Sequence, residues 1–214
     1  GVSAMYCYFW TLGRLPLTEA FLVKLSGPLF IPLFAYLWLK EPATRYNLLA
    51  IGVGFFGVGV VLWPNLGADS QANWPVIALY VGVLGAMLMA LSKIAIRSMA
   101  ATESSQRIVF YYAVISTLVT FPAALLNWQP VPNELWVWLV GLGIIASAGQ
   151  LAVTKGYRLA PAGSIGVYSY SSIIYGALMG WWFWDEIPLW TTWLGAGLII
   201  CAGLLNLYSP KPKN

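Results

Sequence analysis

Long runs of apolar residues, separated by short polar segments, make up most of this chain. The runs are rich in Leu, Ala and Gly and lack the every-second-residue alternation of a membrane barrel strand. A helix needs about 20 apolar residues to cross a bilayer, and most of the runs approach that length. The pattern predicts an all-α membrane protein with these helical segments: 1–12, 17–39, 48–63, 74–96, 108–126, 135–153, 165–184 and 189–207.

The composition agrees with a lipid environment. Hydrophobic residues make up 60% of the chain and charged residues 8%, with a mean hydropathy of +0.75. An ordinary soluble domain has about 25% charged residues. The sequence therefore predicts a lipid bilayer as the surroundings of this chain.

Little in the sequence favours catalysis. The chain has no His, which removes zinc-His sites and Ser-His pairs, and it carries no phosphate-binding loop of an ATPase. Gly52 to Gly57 match a dinucleotide fingerprint, but no strand precedes them, so we interpret them, with Gly176 and Gly180, as sites of close helix packing. We predict no enzyme activity, no cofactor and no metal.

The basic residues indicate the orientation in the membrane. When alternate loops are assigned to alternate sides, one side collects all of the loop Lys and Arg residues except Arg14: Lys40, Arg45, Lys93, Arg97, Arg107, Lys155, Arg158, Lys211 and Lys213. Cytoplasmic loops carry such an excess, so a cytoplasmic C-terminus is predicted. Because these residues form no dense run, the net charge of +4 does not indicate nucleic-acid binding.

Two stretches of the chain have the same plan. Matching residues recur at nearly one spacing: Arg14 and Arg158 at 144, Glu41 and Glu186 at 145, and Gly57 and Gly203 at 146. We predict that 73–214 form a complete five-helix repeat with a short cytoplasmic tail, and that 1–72 form the C-terminal half of another. The chain would then hold about seven and a half helices of a ten-helix fold, with about 73 residues expected ahead of Gly1.

An odd number of helices in each repeat would place the two copies in opposite orientations. Inverted repeats are typical of secondary transporters, which bind substrate near the membrane midplane. The residues of the repeat, Tyr157 to Ala162, Asp185 to Pro188 and Leu194 to Gly203, with Pro16 to Ala20, Lys40 to Pro42 and Gly52 to Gly59 in the first copy, resemble the EamA-type repeat of the drug/metabolite transporter superfamily. The resemblance implies a ten-helix protein of the bacterial inner membrane that moves amino acids, other metabolites or drugs.

Lys24 is the strongest candidate for a functional residue. It lies seven residues into the run 17–39, about 10 Å from its start, and we interpret it as the single cation buried in any apolar run. One reading is that its ammonium snorkels to the membrane surface near Glu19. The other is that it faces a water-filled cavity and binds an anionic group. Pro28 and Pro32 predict a kink or local unwinding beside it.

Other polar positions share helix faces and are candidates for substrate binding. Tyr168, Ser171 or Ser172, and Tyr175 recur at helical spacing, and Tyr168 matches Lys24 across the 144-residue offset, so we expect both to approach the axis between the repeats. Ser147, Gln150 and Thr154 form a similar stripe, in which the Gln150 amide would form hydrogen bonds with a polar group of the substrate. Trp10 and Tyr80 are candidates for aromatic side chains that line a substrate cavity. Glu19 is a candidate coupling group, although an acid in a first helical turn is common.

These features predict a secondary transporter of a small metabolite, such as an amino acid or related amphipathic compound, working by alternating access. Lys24, Tyr168, Ser172, Tyr175 and Gln150 would bind it. Two alternatives stay open: a membrane scaffold or sensor without transport, and a multidrug exporter of the same architecture. The sequence does not determine the oligomeric state.

Overall fold

The computed structural model describes residues 1–15, 17–41, 43–63, 76–126, 128–185 and 187–207. Within these ranges the secondary structure is helical, without strands. The ten α-helices in chain order are α1 (Val2–Leu12), α2 (Leu17–Leu25), α3 (Gly27–Phe34), α4 (Arg45–Leu62), α5 (Val76–Met99), α6 (Ser105–Leu126), α7 (Trp136–Leu159), α8 (Ala162–Tyr168), α9 (Ser171–Trp184) and α10 (Trp190–Leu207). A π-helical turn, Ala35–Leu39, continues α3, and a 3₁₀ turn, Asn133–Leu135, precedes α7.

The helices confirm the all-α membrane fold class. Among the described residues, four helical stretches have the length and hydropathy of a membrane span: Ala20–Leu39, Ile77–Met99, Ser105–Leu126 and Asn133–Leu159. The apolar helices Arg45–Val61 and Trp190–Asn206 are shorter. The predicted loop 64–73, Glu186 and the tail from 208 onward lie outside the described residues.

Two of the predicted apolar segments are each divided. The segment 17–39 is interrupted at Ser26, because Pro28 has no amide hydrogen to donate to the Lys24 carbonyl, and Pro32 lies inside α3. The segment 165–184 is interrupted at Ser169 and Tyr170, where the backbone forms 3₁₀-type bonds such as Tyr170 N to Val167 O at 3.2 Å. The interruption expected from the two prolines is therefore present.

The chain forms two compact units. The first combines Ser3–Ile94 with Pro161–Asn214, and the second is Ala95–Ala160. In the second unit α6 packs on α7, and Arg97 donates to the carbonyls of Tyr157 and Arg158 at 3.3 and 3.0 Å near the end of α7. Such a cation satisfies carbonyls that the helix itself leaves unpaired.

The principal helix pair of the first unit is α4 with α10. Their contacts run in opposite chain directions: Asn47 bonds Asn206, whereas Gly57, ten residues later, lies against Gly195. The two helices are therefore antiparallel. A β-carbon on Gly57 would lie 2.9 Å from the Gly195 carbonyl oxygen, so the backbones approach as closely as small residues permit.

The predicted glycine contacts are only partly correct. Gly54 and Gly57 pack closely, against Tyr170 and Gly195, but a β-carbon at Gly52 would meet nothing within 4 Å in the described residues. The same is true of Gly176. Gly52 instead borders an open apolar groove, and spacing alone does not distinguish such positions from the packed ones.

Candidate functional site

The Lys24 side chain lies among α1, α2 and α5. Its ammonium nitrogen is 4.6 Å from the centroid of the Tyr8 ring and 5.2 Å from that of Phe21. Both distances are within the range of cation–π attraction. Among the side chains that the structure describes, none places a carboxylate within 4 Å of this ammonium. Lys24 is therefore a half-buried cation held by aromatic rings.

Small residues bring the three helices together around Lys24. A β-carbon on Gly82 of α5 would lie 2.8 Å from Val23 and 3.1 Å from Thr11, and one on Gly85 would lie 2.9 Å from Cys7. The Thr11 hydroxyl donates to the Cys7 carbonyl at 2.8 Å, which occupies its hydrogen within its own helix. The lysine is consequently positioned by closely packed helices.

A cavity of about 10 Å³ lies beside Lys24. Its lining comes from the same three helices: Tyr8, Thr11, Ala20, Val23, Lys24, Gly82, Gly85, Ala86 and Met89. A single water needs about 10 to 15 Å³ on this measure, so the cavity has room for about one water and not for a metabolite. Substrate access to Lys24 would require these helices to separate.

The two divided segments cross each other at their breaks. Leu25 and Tyr170 belong to one buried cluster, and Ile31 would contact a β-carbon on Gly166 at 3.0 Å. Later residues of α3 thus meet earlier residues of α8, so the two segments run antiparallel. The breaks at Ser26 and Tyr170 are 144 residues apart in sequence, and Tyr170 shares a buried cluster with Leu25, the residue that precedes Ser26.

Lys24 and Tyr168 have different neighbours in the structure. Leu25 and Tyr170 face the crossing, whereas Lys24 faces α1 and α5, and the Tyr168 ring lies near Gly203 of α10. The two residues lie at the level of the crossing but not in a common cavity around it.

Three further candidates, Tyr168 at the end of α8 and Ser172 and Tyr175 on α9, are exposed. Tyr168 is 45% and Tyr175 62% exposed, and the hydroxyl of Ser172 donates to the Ser169 carbonyl at 2.9 Å. The Ser171 hydroxyl similarly donates to Tyr168 O at 2.7 Å. Both hydroxyl hydrogens are therefore used in bonds to backbone carbonyls at the break between α8 and α9. The hydroxyl oxygens keep lone pairs that can accept a hydrogen bond from another donor.

Neither Trp10 nor Tyr80 lines the Lys24 cavity. The guanidinium of Arg14 covers the Trp10 ring at 3.8 Å and bonds its carbonyl, so Trp10 supports the end of α1. Tyr80 is 72% exposed. Gln150 is half-buried in the second unit, where its backbone carbonyl accepts a hydrogen bond from the Thr154 hydroxyl. The side chain of Glu19 lies outside the described residues.

Two residues near the site were missed in the sequence. Lys93 was assigned to a loop, but α5 continues to Met99 and includes it as a half-buried residue. It shares a face of α5 with Gly82, Ala86 and Met89, which line the Lys24 cavity, at spacings of 11, 7 and 4. The sequence contained a signal for this position, because Lys93 lies inside the apolar run 74–96 and is therefore a charge within a predicted helix.

Tyr170 is the second missed residue. Its side chain is fully buried against Gly54, and its hydroxyl has no hydrogen-bond partner among the described residues. A buried hydroxyl without a partner is costly, by about 1 to 3 kcal/mol. In the sequence Tyr170 stood between Tyr168 and Ser171 with nothing to mark it, because its importance depends on a crossing of distant segments.

Known proteins resemble this chain over nearly its whole length. A pseudopaline exporter of Pseudomonas aeruginosa is 33% identical over 208 residues, covering 94% of this chain and 70% of that protein. A riboflavin transporter of Vibrio cholerae is 25% identical, covering 93% and 65%, and an S-adenosylmethionine uptake transporter of Rickettsia prowazekii is 29% identical, covering 94% and 67%. These relatives agree with a multi-pass membrane protein that carries small molecules.

The fold and the family are also found by direct comparison. A solved crystal structure matches with a TM-score of 0.83 at 20% identity, covering 98% of this chain and 75% of that one, which supports the fold alone. The EamA-like transporter family matches residues 1–63 and 76–208. These matches confirm the resemblance to the drug/metabolite transporter superfamily, and this chain belongs to the EamA-like transporter family.

Proposed function

We propose that this chain is a secondary transporter that moves a small metabolite bearing an anionic group, such as an amino acid or related amphipathic compound, by alternating access. The observation that carries the proposal is the Lys24 ammonium, which is half-buried between helices beside a small cavity. Lys24 would bind the anionic group of the substrate.

The energetics favour a binding role for Lys24. A lysine at the centre of a membrane helix costs about 2.5 to 3.5 kcal/mol on insertion scales. A cation–π contact returns about 0.5 to 1 kcal/mol when exposed and about 2 kcal/mol when desolvated. The Tyr8 and Phe21 rings therefore offset part of the cost and hold the ammonium in place. A bound anion would supply the remainder.

The charge around the site also favours an anionic group. Lys93 follows Met89 by one turn on the face of α5 that borders the cavity, so two lysines lie along one side of the proposed path. A cationic drug would meet repulsion there, which argues against the multidrug-exporter alternative. An amino acid would satisfy Lys24 with its carboxylate.

The antiparallel helix pairs support alternating access. The α2–α3 and α8–α9 segments, displaced by 144 residues, cross antiparallel at their breaks, and α4 and α10, displaced by 145, are also antiparallel. Inverted repeats that meet in this way exchange two related conformations around a central site. The one-water cavity is what an occluded conformation of such a cycle would contain.

The direction of transport is a separate question. The relatives named above include an exporter and an uptake transporter, so similarity is compatible with either direction. Their named substrates also differ, and the proposal therefore names a chemical class of substrate and not a compound.

Counterflow in proteoliposomes tests the proposal with a panel of amino acids and other metabolites sorted by charge. We expect Lys24→Gln to reduce counterflow of an anionic or zwitterionic substrate by about 10- to 100-fold, because a bond to a charged group is worth about 1.5 to 3 kcal/mol. Lys24→Arg should retain part of the activity. Lys155→Gln is the matched control, since Lys155 is exposed in the second unit.

Each alternative has its own outcome in this assay. If Lys24→Gln transports at the wild-type rate, Lys24 does not bind substrate. Preferential transport of cationic compounds would favour the multidrug exporter. No flux for any compound, with intact folding, would favour a scaffold or sensor.

A further inference from the structure

A buried network of polar groups joins four elements at one end of the first unit. At this end the π-helical turn leads into α4, α8 begins and α10 ends. The side chains of Asn47 and Asn206 are 4% and 5% exposed, and Asn47 Nδ2 donates to Asn206 Oδ1 at 3.2 Å. Asn206 Nδ2 in turn donates to the Ser164 carbonyl at 2.9 Å.

Two further contacts complete the network. The Ala162 amide at the start of α8 donates to Glu41 Oε2 at 3.2 Å. The Thr44 hydroxyl accepts the Asn47 amide at 3.2 Å and caps α4, which orients the Asn47 side chain. We call the contacts of Glu41 and Asn47 with Ala162, Ser164 and Asn206 the polar lock.

Gly163 shows how closely the lock is built. A β-carbon at Gly163 would lie 2.5 Å from Asn47 Oδ1, so any larger residue would displace the amide. Both amides are buried in the protein, and separating these elements would break the hydrogen bonds that now satisfy them. The lock therefore favours a closed conformation at this end.

The opposite end lacks a counterpart of the Asn47–Asn206 pair in its sequence. At the 145-residue offset, Asn47 corresponds to Thr192 and Asn206 to Val61. Val61 has no side-chain polar group, so the bonds that Asn206 makes to Asn47 and to the Ser164 backbone carbonyl have no counterpart there. The two ends are chemically unequal although the helices that form them are related by the repeat.

We infer that the polar lock is a one-sided gate, and that Asn47 and Asn206 are positioning residues that hold the transporter closed at the Lys40 end. This inference rests on the proposed alternating access, since a gate has a role only in such a cycle. The lock joins Glu41 and Asn47 of one predicted repeat to Ala162, Ser164 and Asn206 of the other. Opening at this end would break the Asn47–Asn206 bond, and the sequence of the other end offers no amide pair in its place.

Side-specific labelling of introduced cysteines tests the gate without any substrate. Cys7 and Cys201 are first replaced by Ala in the intact protein, in native-lipid membranes open to reagent from both sides. Leu205→Cys, next to Asn206, then reports on the lock end, and Ala20→Cys reports on the opposite end. A membrane-impermeant maleimide supplies the labelling rate at each position.

We expect Asn206→Leu to raise the labelling rate of Leu205→Cys by about fivefold or more, because two bonds that favour closure are lost. Labelling of Ala20→Cys should stay unchanged or fall. Thr192→Val is the matched control, since Thr192 corresponds to Asn47 at the other end, and should alter neither rate. The double variant Asn47→Leu with Asn206→Leu should lie between wild type and Asn206→Leu, since no unpaired amide remains.

Equal increases at Leu205→Cys and Ala20→Cys would overturn the inference, because general loosening of the fold has no side preference. Unchanged labelling at both positions would also overturn it. Both results are read without substrate and without transport, so a failed gate remains distinguishable from a failed assignment of the substrate site.

Discussion

At the scale of single residues, the direction of a side chain around its helix decides its role. Lys24 and Leu25 are neighbours in sequence, yet Lys24 meets α1 and α5 while Leu25 packs with Tyr170. One residue is about 100° around a helix, which is enough to turn two neighbouring side chains towards different helices. The polarity of Lys24 was visible in the sequence, but the rings that hold it were not.

Tyr170 provides a test at this scale. Its buried hydroxyl lacks a partner among the described residues, so Tyr170→Phe should stabilise the observed conformation by about 1 to 3 kcal/mol in free energy of unfolding. The measurement is denaturation in detergent, followed by circular dichroism. Tyr168→Phe is the control and should have little effect, because Tyr168 is 45% exposed.

A loss of stability in Tyr170→Phe would contradict this prediction. It would mean that the hydroxyl has a partner in the membrane, such as a bound water in the crossing of the two segments.

At the scale of elements, the breaks and close contacts define the pair of crossing segments and the α4–α10 pair. Pro28 makes the first break foreseeable, because proline leaves a carbonyl without a donor. No proline marks the second break at Ser169 and Tyr170. It depends on packing against α3 and α4, and therefore only the folded chain reveals it.

The α4–α10 contact gives a second test. Gly57→Ala should lower the free energy of unfolding by about 1 to 3 kcal/mol, because its β-carbon would lie 2.9 Å from the Gly195 carbonyl oxygen. Gly52→Ala on the same helix meets nothing within 4 Å and should instead raise stability by about 0.5 to 1 kcal/mol through helix propensity. Denaturant titration of both variants in the same detergent provides the comparison.

Equal effects of the two substitutions would show that the close approach of α4 and α10 does not limit stability. If Gly57→Ala lowers the free energy of unfolding and Gly52→Ala raises it, the tight contact lies on the Gly57 face of α4.

At the scale of the whole molecule, the loops of the chain carry a charge pattern that predicts its orientation in the membrane. The excess of Lys and Arg on one set of loops predicts a cytoplasmic C-terminus. A fluorescent protein fused after Asn214 should therefore fluoresce, whereas alkaline phosphatase at the same point should be inactive. Insertion of both reporters after Trp128, on the predicted outer side, is the control and should reverse the two signals.

Active phosphatase after Asn214 would contradict the topology. It would also move the polar lock to the outer face, since Lys40, Arg45 and the C-terminal end of α10 belong to the same end of the first unit.

The membrane class, most of the helices and the family could be predicted from the sequence, which also marked Lys24 as a candidate. These predictions follow from local properties: the length of an apolar run, the cost of a charge in it and the spacing of matching residues. The folded chain was needed to show that Lys24 contacts Tyr8 and Phe21, that the Tyr168 ring lies near Gly203, and that Asn47 bonds Asn206 across 159 residues. Contacts between distant residues depend on how helices cross and rotate, and the hydropathy of a single segment does not encode that geometry.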